Sequence, residues 1–517
     1  MTMEPIRDVL IVGGGTAGWL AAAYLAKRLG ADRPDGVSVT LIESSDIGII
    51  GVGEGTFPTI KKLLLTLGAD EAEFMRACSG TFKQGARFVD WEHAPAGGRH
   101  DYYYHPFNLA EATESGIDLL PYWLMGVGGD TKLSTAVNLQ DRVCDAGRGP
   151  KRLDERDYFG AMNYAYHFDA GKLATWLAQV GASLGVRRLI GTVEGVNLDE
   201  SGAIASVTTR EHGVLTAGLY VDCTGFRGEL IGKALGSPFK DVDNCLFVDR
   251  ALAMQVPYDR PDHPIATHTI STAHEAGWTW DIGLDNRRGV GYVYSSRHTD
   301  DARAEEVLRG YIGAGAQGLS ARQLKFRLGY RERPWVKNCV AIGLSGGFLE
   351  PLESTGITMI DTAVEMLAET FPRDAEAMDA AARAFNRALT TRFELAVDFL
   401  KLHYGLTKRT DHAFWTDNAD QASWSERLVD LTTQWRTRPP SPYDFTSTLD
   451  PFPIASYKFV LYGMGFKTDL SGQEGLYPHV EQAKREFYRV SVMAGRAATV
   501  LPDHRTLIDA IYAAQAA

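Results

Sequence analysis

Val9-Leu10-Ile11-Val12-Gly13-Gly14-Gly15-Thr16-Ala17-Gly18 is the stretch that decides the fold. Val9 to Val12 is apolar and mostly β-branched, which fits a short buried strand. The Ala-rich segment Thr16 to Leu29 has helical character, and Gly30 stops it. A polar insert, Ala31 to Gly36, leads to a second strand, Val37 to Ile42. Strand, helix, strand in this order begins a parallel α/β sheet.

Gly13 to Gly18 satisfies G-x-G-x-x-G in the one context where the pattern carries meaning, between a strand and a helix. Gly13 permits the tight turn, Gly15 lets a pyrophosphate approach the backbone, and Gly18 allows close helix–sheet packing. The helix start at Thr16 and Ala17 offers free N–H groups and partial positive charge to phosphates. Glu43 ends the second strand, where a carboxylate accepts hydrogen bonds from ribose hydroxyls; the insert accounts for part of its extra spacing. Two further glycine turns follow strands, at Asp222-Cys223-Thr224-Gly225 and Gly343-Leu344-Ser345-Gly346-Gly347. A cofactor domain assembled from distant segments is more like FAD enzymes than a compact NAD domain.

Working outward, helices are expected over Pro58–Leu67, Asp70–Ala77 and Leu173–Leu184, and an extended segment over Thr81–Trp91. Strands are expected near Ala203–Thr209 and Leu219–Asp222, with a hairpin of Trp278–Leu284 and Val290–Ser295. The chain turns helical from about Glu365, with Met378, Ala382, Phe385, Leu389, Phe393 and Val397 sharing one helix face. Five prolines between Pro439 and Pro453 mark an irregular loop. The fold class is therefore α/β: a doubly wound FAD-binding fold of the flavin monooxygenase type with a mainly helical C-terminal substrate lobe. Residues 1–365 are read as the FAD-binding module with inserted substrate-facing strands and loops, and 366–517 as the lobe.

A net charge of −12 argues against binding nucleic acid or anionic membrane surfaces. No apolar run approaches the ~20 residues of a membrane span, and the N-terminus lacks a signal-peptide layout. The five cysteines form no C-x-x-C pair, so neither a disulfide framework nor a zinc site is expected, and a reducing cytoplasm fits. The 13 histidines form no H-x-x-x-H or H-E-x-x-H pair, so no metal is expected.

Four segments together resemble the flavin-dependent tryptophan halogenase family. They are Gly13 to Gly18; Gly51-Val52-Gly53-Glu54; Trp278-Thr279-Trp280-Asp281-Ile282; and Phe348-Leu349-Glu350-Pro351-Leu352-Glu353-Ser354-Thr355-Gly356-Ile357. Lys83, in Thr81-Phe82-Lys83, falls where the family has its essential lysine. The resemblance covers roughly residues 10–360 and is loose beyond them. It implies that reduced FAD, delivered by a separate NADH-dependent flavin reductase, works with O2 to oxidise bound chloride or bromide to hypohalous acid. Lys83 then holds that oxidant by a hydrogen bond or as a haloamine, and an indolic ring attacks the positive halogen. Burial of Lys83 would lower its pKa and make the amine accessible; on a strand its side chain faces away from Phe82 and Phe88.

By the same matching, Glu353 polarises the oxidant or takes the ring proton, while Thr355 and Gly356 hold the halide. Glu54, Val193, Leu344 and Ile357 lie along the FAD. His105 and Phe107 sandwich the indole, and Trp278 and Trp280 share one strand face with Ile282 near the flavin. Gly283 departs from the family's W-x-W-x-I-P, where a proline stands. The residues that clamp the amino-acid end of free tryptophan find no match in the region Tyr443–Tyr462, which points to indole or another indolic compound. The alternatives are a flavin-dependent aromatic hydroxylase, which Gly283 favours, and a non-catalytic FAD-binding redox sensor. Assembly is open, with a homodimer among the alternatives.

Overall fold

The apolar strand Asp8–Val12 (β1) lies inside a six-stranded sheet, and its neighbours come from all over the sequence. The structure, a computed structural model, describes residues 5–46, 53–110, 113, 116–445 and 447–514. Part of the glycine-dense loop Gly48–Gly55, including Gly51 and Val52, lies outside them. Two compact units each draw on three chain segments.

The first unit comprises Met1–Ser79, Phe168–Asp243 and Phe326–Glu394. β1 pairs in parallel with Ser38–Glu43 (β2) on one side and with Leu219–Asp222 on the other. Arg187–Ile190 extends the parallel sheet beyond β2, and Cys339–Ala341 extends it beyond Leu219–Asp222. Only the edge strand Trp335–Val336 runs antiparallel. Leu10, Val12, Ile42, Tyr220 and Ala341 share one core with Ile204 and Val207 of a three-stranded antiparallel sheet. Each fully buried Leu or Ile there contributes about 1.5–3 kcal/mol. Thr16–Leu29 (α1) is buried from Gly18 to Ala26, and Gly30 ends it in the left-handed conformation at φ 67°.

The second unit comprises Gly80–His167, Asn244–Lys325 and Leu395–Ala517. Its seven-stranded sheet is antiparallel except between Thr269–Ala273 and Gly85–Val89. The expected hairpin forms from Gly277–Gly283 and Arg287–Tyr294, closed by Leu284 N–H donating to Arg287 C=O at 2.9 Å. The helix Asp301–Ile312 lays Ala304, Leu308 and Ile312 against Leu252, Met254 and Tyr292 of the sheet.

Two sequence expectations change. The extended run Thr81–Trp91 is broken at Gln84 into Thr81–Lys83 and Gly85–Val89, which join different sheets. Gly85 sits at φ 154°, and a Cβ there would come within 2.5 Å of the His105 carbonyl oxygen. Helical structure begins at Thr355, ahead of Glu365, in the helix Thr355–Glu369; the helix Ala375–Gly405 follows and buries Met378, Ala382, Phe385, Leu389, Phe393 and Val397. Among the described residues no helix is long and apolar enough to cross a membrane.

Candidate active site

Three glycine turns meet at the carboxyl ends of the central parallel strands, where open α/β sheets bind ligands. Cys223 N–H donates to Val12 C=O and Ile342 N–H donates to Asp222 C=O, at 2.9 and 3.0 Å. Gly13 sits at φ 115°, and a Cβ there would lie 2.3 Å from the Cys223 carbonyl oxygen. A Cβ on Gly18 would lie 1.8 Å from the Gly13 carbonyl oxygen, and one on Gly343 would lie 2.6 Å from Ala17 Cβ. Gly15 is different: a Cβ there meets nothing within 4 Å, so it borders open space at the start of α1. The first turn of α1, beginning at Thr16, carries no acidic residue and no side-chain cap. Its N–H groups and positive dipole end are therefore left for a phosphate. The cradle fits the pyrophosphate of a dinucleotide.

Glu43 lies over Gly14, whose hydrogen it accommodates where a Cβ would fall 1.6 Å from Glu43 Oε2. Arg188 Nη2 is 2.6 Å from its Oε1, and the Trp19 indole donates to Oε2 at 3.3 Å. A carboxylate offers about four lone-pair sites, so these partners leave room for a ribose hydroxyl. Glu54 stands on the short strand Gly53–Gly55, and burial, with a contribution from Asp169, pushes its carboxyl up to about 7. Val193 packs against the core containing Leu10, Val12 and Ile42.

Pro351 to Ile357 folds in an unusual way. Glu353 and Ser354 are consecutive left-handed residues, both at φ 58°, and neither is glycine. Such positions cost about 1–3 kcal/mol each and gather at functional sites. Glu353 is buried, and the Thr355 hydroxyl donates back to the Glu350 carbonyl at 2.9 Å. The helix that starts at Thr355 has no side-chain cap and no acid in its first turn, which also holds Ile357. A Cβ on Gly356 would meet nothing within 4 Å. Leu344, Thr355 and Gly356 line one cavity of about 40 Å³ with Gly343, Gly346 and Gly347. The structure thus brings together the first glycine turn, Leu344 and the Thr355–Gly356 helix start, a setting suited to a small anion.

In the second unit Lys83 is only 1% exposed. Its strand pairs antiparallel with Ala165–His167, Lys83 opposite Ala165. Lys83 Nζ lies 5.3 Å from the centre of the Phe107 ring, and Phe107 N–H donates to Gln84 C=O at 3.1 Å. His105 is buried, its Nε2 at 2.8 Å from Ser456 Oγ and its ring edge-on to Phe399. Trp278 and Trp280 lie on one face as the alternation requires, ring centres 6.5 Å apart. Trp280 fills the space over Gly291, where a Cβ would be 2.1 Å from its ring, and Trp278 contacts Trp91. Gly283 accepts a 2.6 Å hydrogen bond from the Thr81 hydroxyl.

Sequence reasoning passed over two features. Asp222 organises the second glycine turn: its carboxylate accepts from Thr224, Leu230 and Ile231 N–H at 2.8–2.9 Å. An acid at a strand end before Thr-Gly was the available signal. Two buried histidines, His268 and His504, gather with Lys83 around a third, His167, from separated positions and left no signal.

A parallel sheet with converging glycine turns, a bare helix start and an open pyrophosphate cradle defines the FAD-binding class of α/β enzymes. Comparison with known proteins narrows the class. The tryptophan halogenase family profile matches residues 8–474. The 7-chloro-L-tryptophan 6-halogenase KtzR of Kutzneria sp. (strain 744) is 37% identical over 522 residues, which is 96% of this chain and 98% of that protein. A crystal structure of a tryptophan halogenase from Shewanella frigidimarina NCIMB 400 superposes with TM-score 0.94 at 38% identity, covering 99% of this chain and 98% of that one. Tar14, a tryptophan C-6 flavin-dependent halogenase (chlorinase) from taromycin biosynthesis, superposes with TM-score 0.91 at 37% identity over 98% and 100% of the two chains. The chain belongs to the tryptophan halogenase family, whose members are flavin-dependent halogenating enzymes.

Proposed function

We propose that this enzyme halogenates an indole-like aromatic with chloride or bromide, and that Lys83 and Glu353 handle the active halogen. Bound FAD, reduced by a separate NADH-dependent flavin reductase, supplies with O2 the two-electron oxidation of halide to hypohalous acid. Gly13, Gly15, Thr16, Ala17 and Gly18 receive the pyrophosphate, and Glu43 a ribose. Glu54, Val193, Leu344 and Ile357 lie along the rest of the cofactor. Thr355 and Gly356 hold the halide through first-turn N–H groups. The Lys83 amino group orients the hypohalous acid, and its burial keeps bulk water from competing. Glu353 takes the proton that the ring releases once carbon has bonded to halogen. His105 and Phe107 present the ring, with Trp278 and Trp280 as the aromatic backing.

The observation that carries this reading is the Pro351–Ile357 segment: a buried acid held at positive φ beside an uncapped helix start. Of the relatives, KtzR acts on 7-chloro-L-tryptophan and Tar14 on tryptophan. In the region Tyr443–Tyr462, where the sequence offers no match to residues that clamp the amino-acid end of tryptophan, Tyr443 is 90% exposed, and Asp444 is tied to Arg438 and to the Trp435 indole. This supports an indolic substrate without the free amino-acid end. The test incubates indole and tryptophan with enzyme, flavin reductase, NADH, oxygen and either chloride or bromide, and weighs the products by mass spectrometry. Halogenated indole is expected. Gly283 in place of the motif proline favours one other reading, an aromatic hydroxylase, and a hydroxylated product independent of halide would replace the first reading with the second.

A further inference from the structure

Thr81 stands directly opposite His167 in the antiparallel pairing, so the two side chains share a face. Lys83, two residues on from Thr81, points to that same face, and its own partner Ala165 is small. His167 is consequently the diagonal neighbour of Lys83, within about 7–8 Å for such a pair. His167 is fully buried; Thr269 Oγ1 meets its Nε2 at 2.9 Å, while Nδ1 is buried without a hydrogen-bond partner among the described residues.

His504 adds a second such ring, and here the partner fixes the tautomer. Its Nδ1 lies 3.0 Å from the Ile265 carbonyl oxygen. A carbonyl can only accept, so Nδ1 carries the proton, and in the neutral ring Nε2 is a bare acceptor. That Nε2 is likewise buried and without a partner among the described residues. Burial and the nearby charges keep the group neutral. Desolvation first, then Lys83, His504 and His268, hold His167 well below its ordinary value. Desolvation pushes His504 down to about 4 and His268 down to about 3. The groups bearing on His167 are thus Lys83 from the paired strand, His268 from the segment entering Thr269–Ala273, and His504 from the helix His504–Ala513.

A neutral imidazole nitrogen can accept from an ammonium, which has three N–H donors, and His167 lies diagonally across the strand pair from the buried Lys83, with His504 bearing on His167. We propose that His167 and His504 are positioning residues for Lys83: their acceptor nitrogens receive, through a buried water, one N–H of the lysine and so fix its direction and hold it protonated. This rests on the reading of Lys83 as the group that handles the halogen. A water of this kind needs two to four polar partners, and two imidazoles with one ammonium supply three. The neutrality of the imidazoles matters, because a second positive charge here would push the lysine towards its amine form.

The experiment measures the pH dependence of kcat for bromination by the FAD-loaded enzyme, comparing wild type with His167→Phe, His167→Gln and His504→Gln. His167→Phe removes an acceptor. It is expected to bind FAD normally, to lose about tenfold in kcat (1.4 kcal/mol), and to move the alkaline limb of the profile to lower pH. His167→Gln, which keeps an acceptor oxygen, restores most of the rate and the limb. His504→Gln, on another element, moves the limb in the same direction by less, and it carries the test should His167→Phe fail to fold. If every variant that retains FAD keeps the wild-type limb, the proposal is wrong. Lys83→Ala separates the two levels: full bromination by that variant overturns the lysine reading itself, whereas a dead Lys83→Ala beside unmoved histidine variants overturns only the positioning role.

Discussion

The two units prepare chemistry in opposite ways. In the first, the proposed binding surface is main chain: three glycine turns and two uncapped helix starts, with open space over Gly15 and Gly356. In the second it is side chain: a lysine, three histidines and a set of aromatic rings, nearly all buried, on strands and helices drawn from distant segments. A main-chain site depends on residues that have no Cβ, so a substitution shows either as a clash, as at Gly13, or as space taken from a ligand, as at Gly15 and Gly356. A side-chain site depends on what surrounds each group, so its substitutions show as changes in charge state, rate and pH dependence. Each variant below asks whether that division holds.

The largest effect is expected from Gly13→Ala. The new Cβ would meet the Cys223 carbonyl oxygen at 2.3 Å with the residue held at φ 115°, where an L-residue is already strained. The variant should purify without FAD; a normal flavin absorbance spectrum would show that the turn tolerates a side chain. Lys83→Ala comes next, with a loss of roughly 10²–10⁴ in halogenation and unchanged FAD affinity by fluorescence titration. Glu353→Gln should lose less and should keep FAD too. Normal turnover by the lysine variant would remove the side-chain half of the comparison.

Gly356→Ala puts a methyl group into space where nothing lies within 4 Å. If a halide sits there, its KM should rise by about tenfold, the equivalent of 1.4 kcal/mol, with flavin affinity unchanged. An unaltered bromide KM would move the halide elsewhere. Gly283→Pro tests the departure from the family motif. A Cβ at 283 would press on Ile265 Cγ2 at 2.8 Å, and overpacking costs about 1–3 kcal/mol. The Tm should fall, and adding Ile265→Ala should recover part of it.

The smallest effect is a pH effect on stability. Glu54 ionises at about 7 in the fold against 4.5 in the open chain, because burial disfavours the carboxylate. Its contribution to stability is fully present below the unfolded value and is lost as pH rises through 7. Glu54→Gln, which never ionises, should therefore melt a few degrees above wild type at pH 8, with the gap closing towards pH 4.5. A constant gap across that range would mean that charge is not the cause.

The sequence by itself determined the backbone-built part. Gly13, Gly18 and Gly343 are legible because sterics leave no other residue at those angles and distances, and strand–helix–strand around them fixes the parallel sheet. It also carried the resemblance, through Glu353 to Ile357, and the shared face of Trp278 and Trp280. Tertiary structure decided what no local pattern encodes. The units interleave three segments apiece. Gln84 divides an apparently continuous strand, because Gly85 must pass close to the His105 carbonyl. His268, His504 and Lys83, from positions up to 421 residues apart in the chain, come to bear on His167. The physical reason is range: dihedral and steric limits act between adjacent residues and leave marks in the sequence, whereas desolvation and Coulomb fields depend on neighbours that only the folded chain supplies.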